Sequence, residues 1–277
     1  SNVQNKIDFY VEANDVQSQF YQIQVIGTPT INNISLDLNY PKYLGQKNKT
    51  IQNSGNLIVP EGTTITWNAQ TSKTTSLTFI NNAERFAFDE TSNNNFQYQK
   101  RILSPLNYQI ASSNKDLVDF EKLQFSVAVV KDEYPIISVS SNIDSISRGT
   151  AQFAGQISDD YGIRKLQLVY YNEDTPELKK EYSIPVTSQN IQTFFYDFPK
   201  GINLQEGINY EMYFQVFDND GVRGSKSAKS KVFSYRQKTS EEIEEELFQE
   251  QRNTINDLEN AVQNQKKQQQ QLEEIQQ

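Results

Sequence analysis

Phe214-Gln215-Val216-Phe217-Asp218-Asn219-Asp220-Gly221 alternates apolar and polar residues, breaks at an Asn/Asp/Gly turn, and leads into a second apolar stretch at Lys231–Tyr235. That is the pattern of a β-hairpin. The same pattern occurs twice more. Tyr108-Gln109-Ile110 runs through Asn114-Lys115-Asp116 into Leu123–Val130, and Tyr10-Val11-Glu12-Ala13-Asn14-Asp15 runs into Phe20–Ile26. Each copy ends at a junction: Thr28-Pro29-Thr30-Ile31, Tyr134-Pro135-Ile136-Ile137 and Lys238-Thr239. Successive junctions lie about 105 residues apart, the period of tandem immunoglobulin-like β-sandwiches with one hairpin closing each. The expected division is a closing hairpin of a preceding domain at 1–28, sandwiches at 29–133 and 134–237, and a separate segment at 238–277.

Outward from these hairpins the same alternation continues in Tyr21–Val25, Leu36–Tyr40, Phe125–Val129 and Lys165–Tyr170. Asn-rich or Gly-containing breaks such as Gln52–Asn56 and Thr91–Asn95 separate such stretches, so the fold class is mainly β. After Arg236 the pattern changes. Thr239-Ser240-Glu241-Glu242 has the form of a capping box, and neither Pro nor Gly follows to Gln277. Phe248, Ile255, Leu258, Val262 and Leu272 fall on a and d positions of one heptad frame, and Gln251, Gln265 and Gln269 dilute the seam. The spacing predicts a long amphipathic, coiled-coil-type helix through which the protein would form an oligomer.

Composition removes whole classes of chemistry. The 277 residues contain no Cys and no His, which excludes disulfides, thiol nucleophiles, Ser-His-Asp catalysis and most transition-metal sites. Lys and Arg number 26 against 35 Asp and Glu, a net charge of −9. Ten acidic and three basic residues lie in 239–277, so most of the charge belongs to the helical segment and the remainder is nearly neutral. No basic stripe is available to neutralise phosphates, so nucleic acid is not an expected partner. No apolar run approaches the ~18 residues needed to cross a bilayer. Ser1-Asn2 reads as the remnant of a cleaved tag, and the chain as cut from a longer protein.

The sharpest candidate site is a pair of acidic turns in the second sandwich, Ser158-Asp159-Asp160-Tyr161-Gly162 and Asp218-Asn219-Asp220-Gly221. Loops B–C and F–G lie at one end of an immunoglobulin-type sandwich, so Asp159, Asp160, Asp218 and Asp220 would be neighbours. Two readings stay open. Converging carboxylates suit Ca²⁺, which takes 6–8 oxygen ligands. The same residues make tight turns by accepting their own backbone N–H groups, with Gly supplying positive φ.

Other constellations are weaker. Gly221-Val222-Arg223-Gly224-Ser225-Lys226-Ser227 lacks the spacing of a phosphate loop and no helix follows it, so nucleotide binding is excluded. Trp67, the sole Trp, shares a strand face with Ile65 and Ala69, which places it in a core and not on a sugar-stacking platform. Asn33-Ile34-Ser35 and Asn48-Lys49-Thr50 match glycosylation sequons, a chance outcome in an Asn-rich chain. No pair of carboxylates is placed across a cleft as glycoside hydrolysis requires.

Tyr40-Pro41-Lys42-Tyr43, Val59-Pro60-Glu61-Gly62-Thr63, Ile157–Ile163, Val216–Val222 and Thr239–Glu242, in that order and spacing, resemble an uncharacterised family of large membrane-anchored envelope proteins of Gram-negative bacteria. The strings span about Phe9 to Leu247. The resemblance implies Ig-like repeats followed by coiled coil, an N-terminal membrane anchor outside this stretch, and a location on the periplasmic side of the inner membrane. It transfers no catalytic residue. The expected function is a non-catalytic extracytoplasmic spacer and protein-interaction segment, with transport, secretion or envelope assembly as the process served. The first alternative is a carbohydrate-binding or adhesive module, and the second a His-free carboxylate hydrolase.

Overall fold

Period-2 alternation leaves each strand one apolar face, and such a face is stable only against a second sheet. The computed structural model shows how the chain meets that demand. It describes residues 5–142 and 150–275, with side chains to residue 268, so Ser1-Asn2 and the seam side chains of Gln269 and Leu272 lie outside the described residues. The fold is mainly β, ending in one long helix. Two compact units are present: residues 1–133 with 220–224, and residues 134–219 with 225–277.

The N-terminal stretch is a hairpin of four short strands, β1 (Ile7–Phe9), β2 (Glu12–Ala13), β3 (Val16–Gln17) and β4 (Tyr21–Ile23). Its turn residues Asn14 and Asp15 have φ of 52° and 65°, the left-handed pair that a two-residue hairpin needs. Within the described chain the apolar side chains of this hairpin stay exposed, Phe9 at 40%, Val11 at 59% and Phe20 at 74%. Stacking of Phe9 on Tyr21, with centroids 5.6 Å apart, is what the hairpin achieves by itself.

The first sandwich follows as β5 (Thr30–Asn39), β6 (Lys49–Gln52), β7 (Leu57–Pro60), β8 (Thr64–Ser72) and β9 (Ser76–Asn81). It continues as β10 (Glu84–Ala87), β11 (Asp89–Ser92), β12 (Asn95–Arg101), β13 (Leu106–Ser113) and β14 (Glu121–Val130). One sheet has the order β10-β9-β13-β14-β7 and the other β11-β12-β8-β5-β6. After β6 the chain crosses to the opposite sheet, where β7 pairs in parallel with β14. Trp67 of β8 is fully buried and bridges the sheets: its ring meets Phe79 edge-on at 5.0 Å, and its Nε1 donates to Tyr108 Oη at 2.9 Å. Tyr108 in turn donates to the Gly55 carbonyl at 2.7 Å.

The second sandwich comprises β15 (Ile136–Ser141), β16 (Ala151–Ser158), β17 (Ile163–Asn172), β18 (Lys180–Ile184) and β19 (Ile191–Phe198). It ends with β20 (Asn209–Asp218), β21 (Ser227–Lys229) and β22 (Phe233–Arg236). One sheet is β15-β16-β19; the other is β18-β17-β20, with β21 and β22 both on the far side of β20. Ser230 fills the gap between β21 and β22: its Oγ accepts the Phe214 N–H at 3.0 Å, so the ladder loses no bond at the break. The core is aromatic, with Phe153 meeting Phe214 at 5.1 Å and Phe233 at 5.0 Å, both edge-to-face.

All three stretches that repeat in the sequence are antiparallel hairpins: β1–β4, β13–β14, and β20 with β21 and β22. The helix α1 (Ser240–Ile275) closes the chain. Its start is the expected capping box. Glu242 N–H donates to Thr239 Oγ1 at 3.2 Å and Thr239 N–H to Glu242 Oε2 at 2.9 Å. Arg236 adds a two-pronged ion pair to the same carboxylate, at 3.0 and 2.9 Å.

Candidate functional site

Strand β16 ends on Ser158 and β17 begins on Ile163, so Asp159–Gly162 is the B–C loop of the second sandwich. Strand β20 delivers Asp218 at its end, and residues 219–226 form the loop that follows. These loops meet: Asn219 Nδ2 donates to the Tyr161 carbonyl at 2.9 Å. A third loop, between β18 and β19, joins them through Asn190, whose Nδ2 donates to the Asp160 carbonyl at 2.5 Å and whose carbonyl accepts the Asp159 N–H at 2.8 Å. Gly162, at φ +120°, sits where a Cβ would stand 2.8 Å from the Ser188 carbonyl oxygen, so this close three-loop approach demands glycine.

Each acidic side chain has its own local environment. Asp159 is 8% exposed, and its Oδ2 accepts the N–H groups of Tyr161 at 3.0 Å and Gly162 at 2.9 Å. Its Oδ1 is buried with no hydrogen-bond partner among the described residues. Burial pushes the Asp159 carboxyl up; its two backbone hydrogen bonds oppose this, and the charges of Asp160 and Asp218 add to it. Asp218 is fully buried; Oδ1 accepts the Lys226 N–H at 2.7 Å and Oδ2 lies 3.3 Å from Lys226 Nζ. Asp220 is 5% exposed, and its Oδ1 caps its own turn by accepting from Val222 N at 2.7 Å and Arg223 N at 3.2 Å. Asp160 is exposed.

The tertiary fold thus brings Asp159 and Asp218 near enough to repel, leaves Asp160 in solvent, and commits oxygens of Asp159, Asp218 and Asp220 to backbone amides. Among the described residues no group of three or more acidic side chains is gathered closely enough to hold a metal ion. The Asp218–Lys226 pair is absent from the sequence reading, although an Asp at a strand end with a Lys just beyond the turn is its local signal.

A second surface bears on sugar recognition. The outward face of β17 and β20 carries Tyr171, Tyr213 and Phe217, but lysines roof these rings. Lys229 Nζ stands 4.8 Å from the Tyr213 centroid, Lys179 Nζ 5.3 Å from Tyr171 and Lys165 Nζ 5.5 Å from Phe217. A ring face under an ammonium group is not open for stacking on a pyranose. Trp67 is wholly buried, as its strand position predicts.

No protein-family model matches this sequence, and no curated protein matches it. Similar solved structures include the FN1–FN3 domains of chicken CNTN1, at 13% identity over 84% of this chain and 78% of that one, with a TM-score of 0.24. The fibronectin(III)-like modules of Clostridium thermocellum CbhA align at 14% identity over 67% of this chain and 90% of theirs, with a TM-score of 0.25. At these values the likenesses assign neither ligand nor partner.

Proposed function

We propose that this chain is a non-catalytic extracytoplasmic spacer and protein-interaction segment of a membrane-anchored envelope protein, serving transport, secretion or envelope assembly. One observation carries the non-catalytic reading: the buried acidic side chains at the loop end of the second sandwich are engaged by backbone amides and a lysine of their own loops. The oxygens engaged in this way are turned to their own loops and not to a shared cleft. The absence of His and Cys from the sequence points the same way. The envelope location rests on the ordered strings from Tyr40-Pro41 to Thr239–Glu242 that resemble the membrane-anchored family.

The test has two arms. The purified chain is titrated against purified envelope proteins, and in parallel against peptidoglycan and a glycan array. Saturable binding to an envelope protein with no retention on glycans supports the proposal. Saturable glycan binding, lost in Phe195→Ala (Phe195 is 79% exposed), would install the carbohydrate-binding alternative in its place. Protection of the chain from protease in intact cells, and cleavage after osmotic shock, would support the periplasmic location.

A further inference from the structure

The apolar seam of α1 is uncovered. Phe248 is 58%, Ile255 55%, Leu258 61% and Val262 50% exposed, although they recur at the a and d spacing that packs against another helix. An exposed stripe of this kind calls for an occupant. The charges beside the seam specify which. On one flank, the e positions read Glu245, Arg252, Glu259, Lys266 and Glu273, alternating in sign, and none of the first four is in an ion pair among the described residues. On the other flank, the g positions read Leu247, Thr254, Ala261, Gln268, all uncharged.

We infer that the occupant is α1 of a second copy of this chain, packed antiparallel in one register. Antiparallel helices place e against e and g against g. With Ile255 of each copy level with Leu258 of the other, Glu245 faces Lys266, and Arg252 faces Glu259. The two-fold repeats both contacts, so each of the four charges from Glu245 to Lys266 meets an opposite charge on the other copy. The uncharged g positions face one another. A slip of one heptad sets Glu259 against Glu259 in one direction and Arg252 against Arg252 in the other, so like charges meet throughout. A parallel pair juxtaposes g with e, and the uncharged g row then offers the e charges no partner. It also sets Glu241 and Glu244, on a and d positions, level with their own copies.

Exposed ion pairs add little affinity, so their effect here is on orientation and register. The affinity comes from the central Ile255–Leu258 layers, because the outer layers set Phe248 against Gln265 and Val262 against Gln251. The span from Glu245 to Lys266 is ~33 Å of helix, and a seam so diluted by Gln belongs to the weak class of interfaces below ~1,200 Å². This inference stands apart from the envelope reading. A helix that stays monomeric would leave that reading intact, and a dimer would not establish it.

The experiment is sedimentation equilibrium of the full chain from about 5 to 500 µM at low salt, together with cross-linking. The expected result is a monomer–dimer equilibrium that Ile255→Asp abolishes. Arg252→Glu should weaken it about tenfold, and Arg252→Glu with Glu259→Arg should restore it, with helix content by circular dichroism unchanged throughout. Because the protein has no Cys, orientation can be read directly: Gln251→Cys mixed with Val262→Cys should give chiefly the mixed disulfide. A monomer at 500 µM overturns the inference, as does a dimer indifferent to Ile255→Asp or Arg252→Glu. Two homodisulfides in place of the mixed one would mean parallel packing and overturn the register.

Discussion

The Asp218 carboxylate, with no exposed surface, accepts the backbone N–H of Lys226 at 2.7 Å and lies 3.3 Å from that residue's ammonium group. One residue thereby neutralises a buried charge and closes the loop that follows β20. Taking away the ammonium removes this charge partner from a buried anion. Lys226→Met should therefore destabilise the second sandwich by about 3 kcal/mol, a fall in Tm of more than about 10 °C for a domain of this size. Asp218→Asn keeps the acceptor for the Lys226 N–H, so adding it to Lys226→Met should recover part of the loss. A double-mutant cycle by thermal denaturation measures the coupling, and additive effects would show that the pair is not coupled.

Asp159 has the opposite electrostatic character. Burial raises its folded-state pKa above the unfolded value, so the native state holds the proton more tightly. Its contribution makes the fold more stable as pH drops through the carboxylate range, and that gain is lost as pH rises through the folded value. Asp159→Asn keeps an oxygen for the N–H groups of Tyr161 and Gly162 and carries no charge. The variant should match the parent at acidic pH and equal or exceed it near neutrality. Asp159→Ala, which strands two amides, should cost about 1–3 kcal/mol. Denaturant midpoints from about pH 4 to 8 check both expectations.

In the first sandwich, Tyr108 Oη stands between Trp67 Nε1 and the Gly55 carbonyl, and burial pushes its hydroxyl up to about 12. Tyr108→Phe leaves a buried donor and a buried acceptor unpaired. The expected loss is about 1–3 kcal/mol, with little change in packing. Trp67 is the only Trp, so its emission reports on this site alone and should shift in the variant.

The capping box should govern how well the helix holds at its start. Thr239→Ala removes the acceptor for the Glu242 N–H and is expected to cost the helix about 1 kcal/mol, read as loss of ellipticity at 222 nm. Thr239→Ser should restore it.

Divalent cations offer a direct check on the acidic turns. A Ca²⁺ ion bound only to the native state at 100 times its Kd would add about 2.7 kcal/mol. Millimolar Ca²⁺ or EDTA is expected to move Tm by no more than about 2 °C. A large chelator-sensitive shift, abolished by Asp218→Asn, would establish a calcium site.

What the sequence determined by itself is local. Alternation along Tyr210–Phe217 marks a strand because successive side chains point to opposite faces. Asn14-Asp15 marks a hairpin turn because those residues tolerate positive φ, and Thr239–Glu242 marks a helix start because both partners of the box lie within one turn. Trp67 is placed in the core by its neighbours Ile65 and Ala69. Only the tertiary structure decided which oxygens the acidic residues face, that Asn190 ties a third loop to Asp160, that Trp67 reaches Gly55 through Tyr108, and that lysines cover Tyr213 and Phe217. The parallel pairing of β7 with β14 belongs to the same class. These relations join residues tens of positions apart or lying on different strands, and periodicity carries no information about which distant group will fill a donor, an acceptor or a ring face. Contacts within a turn depend on the backbone that the local residues set, whereas contacts between turns depend on how whole sheets pack.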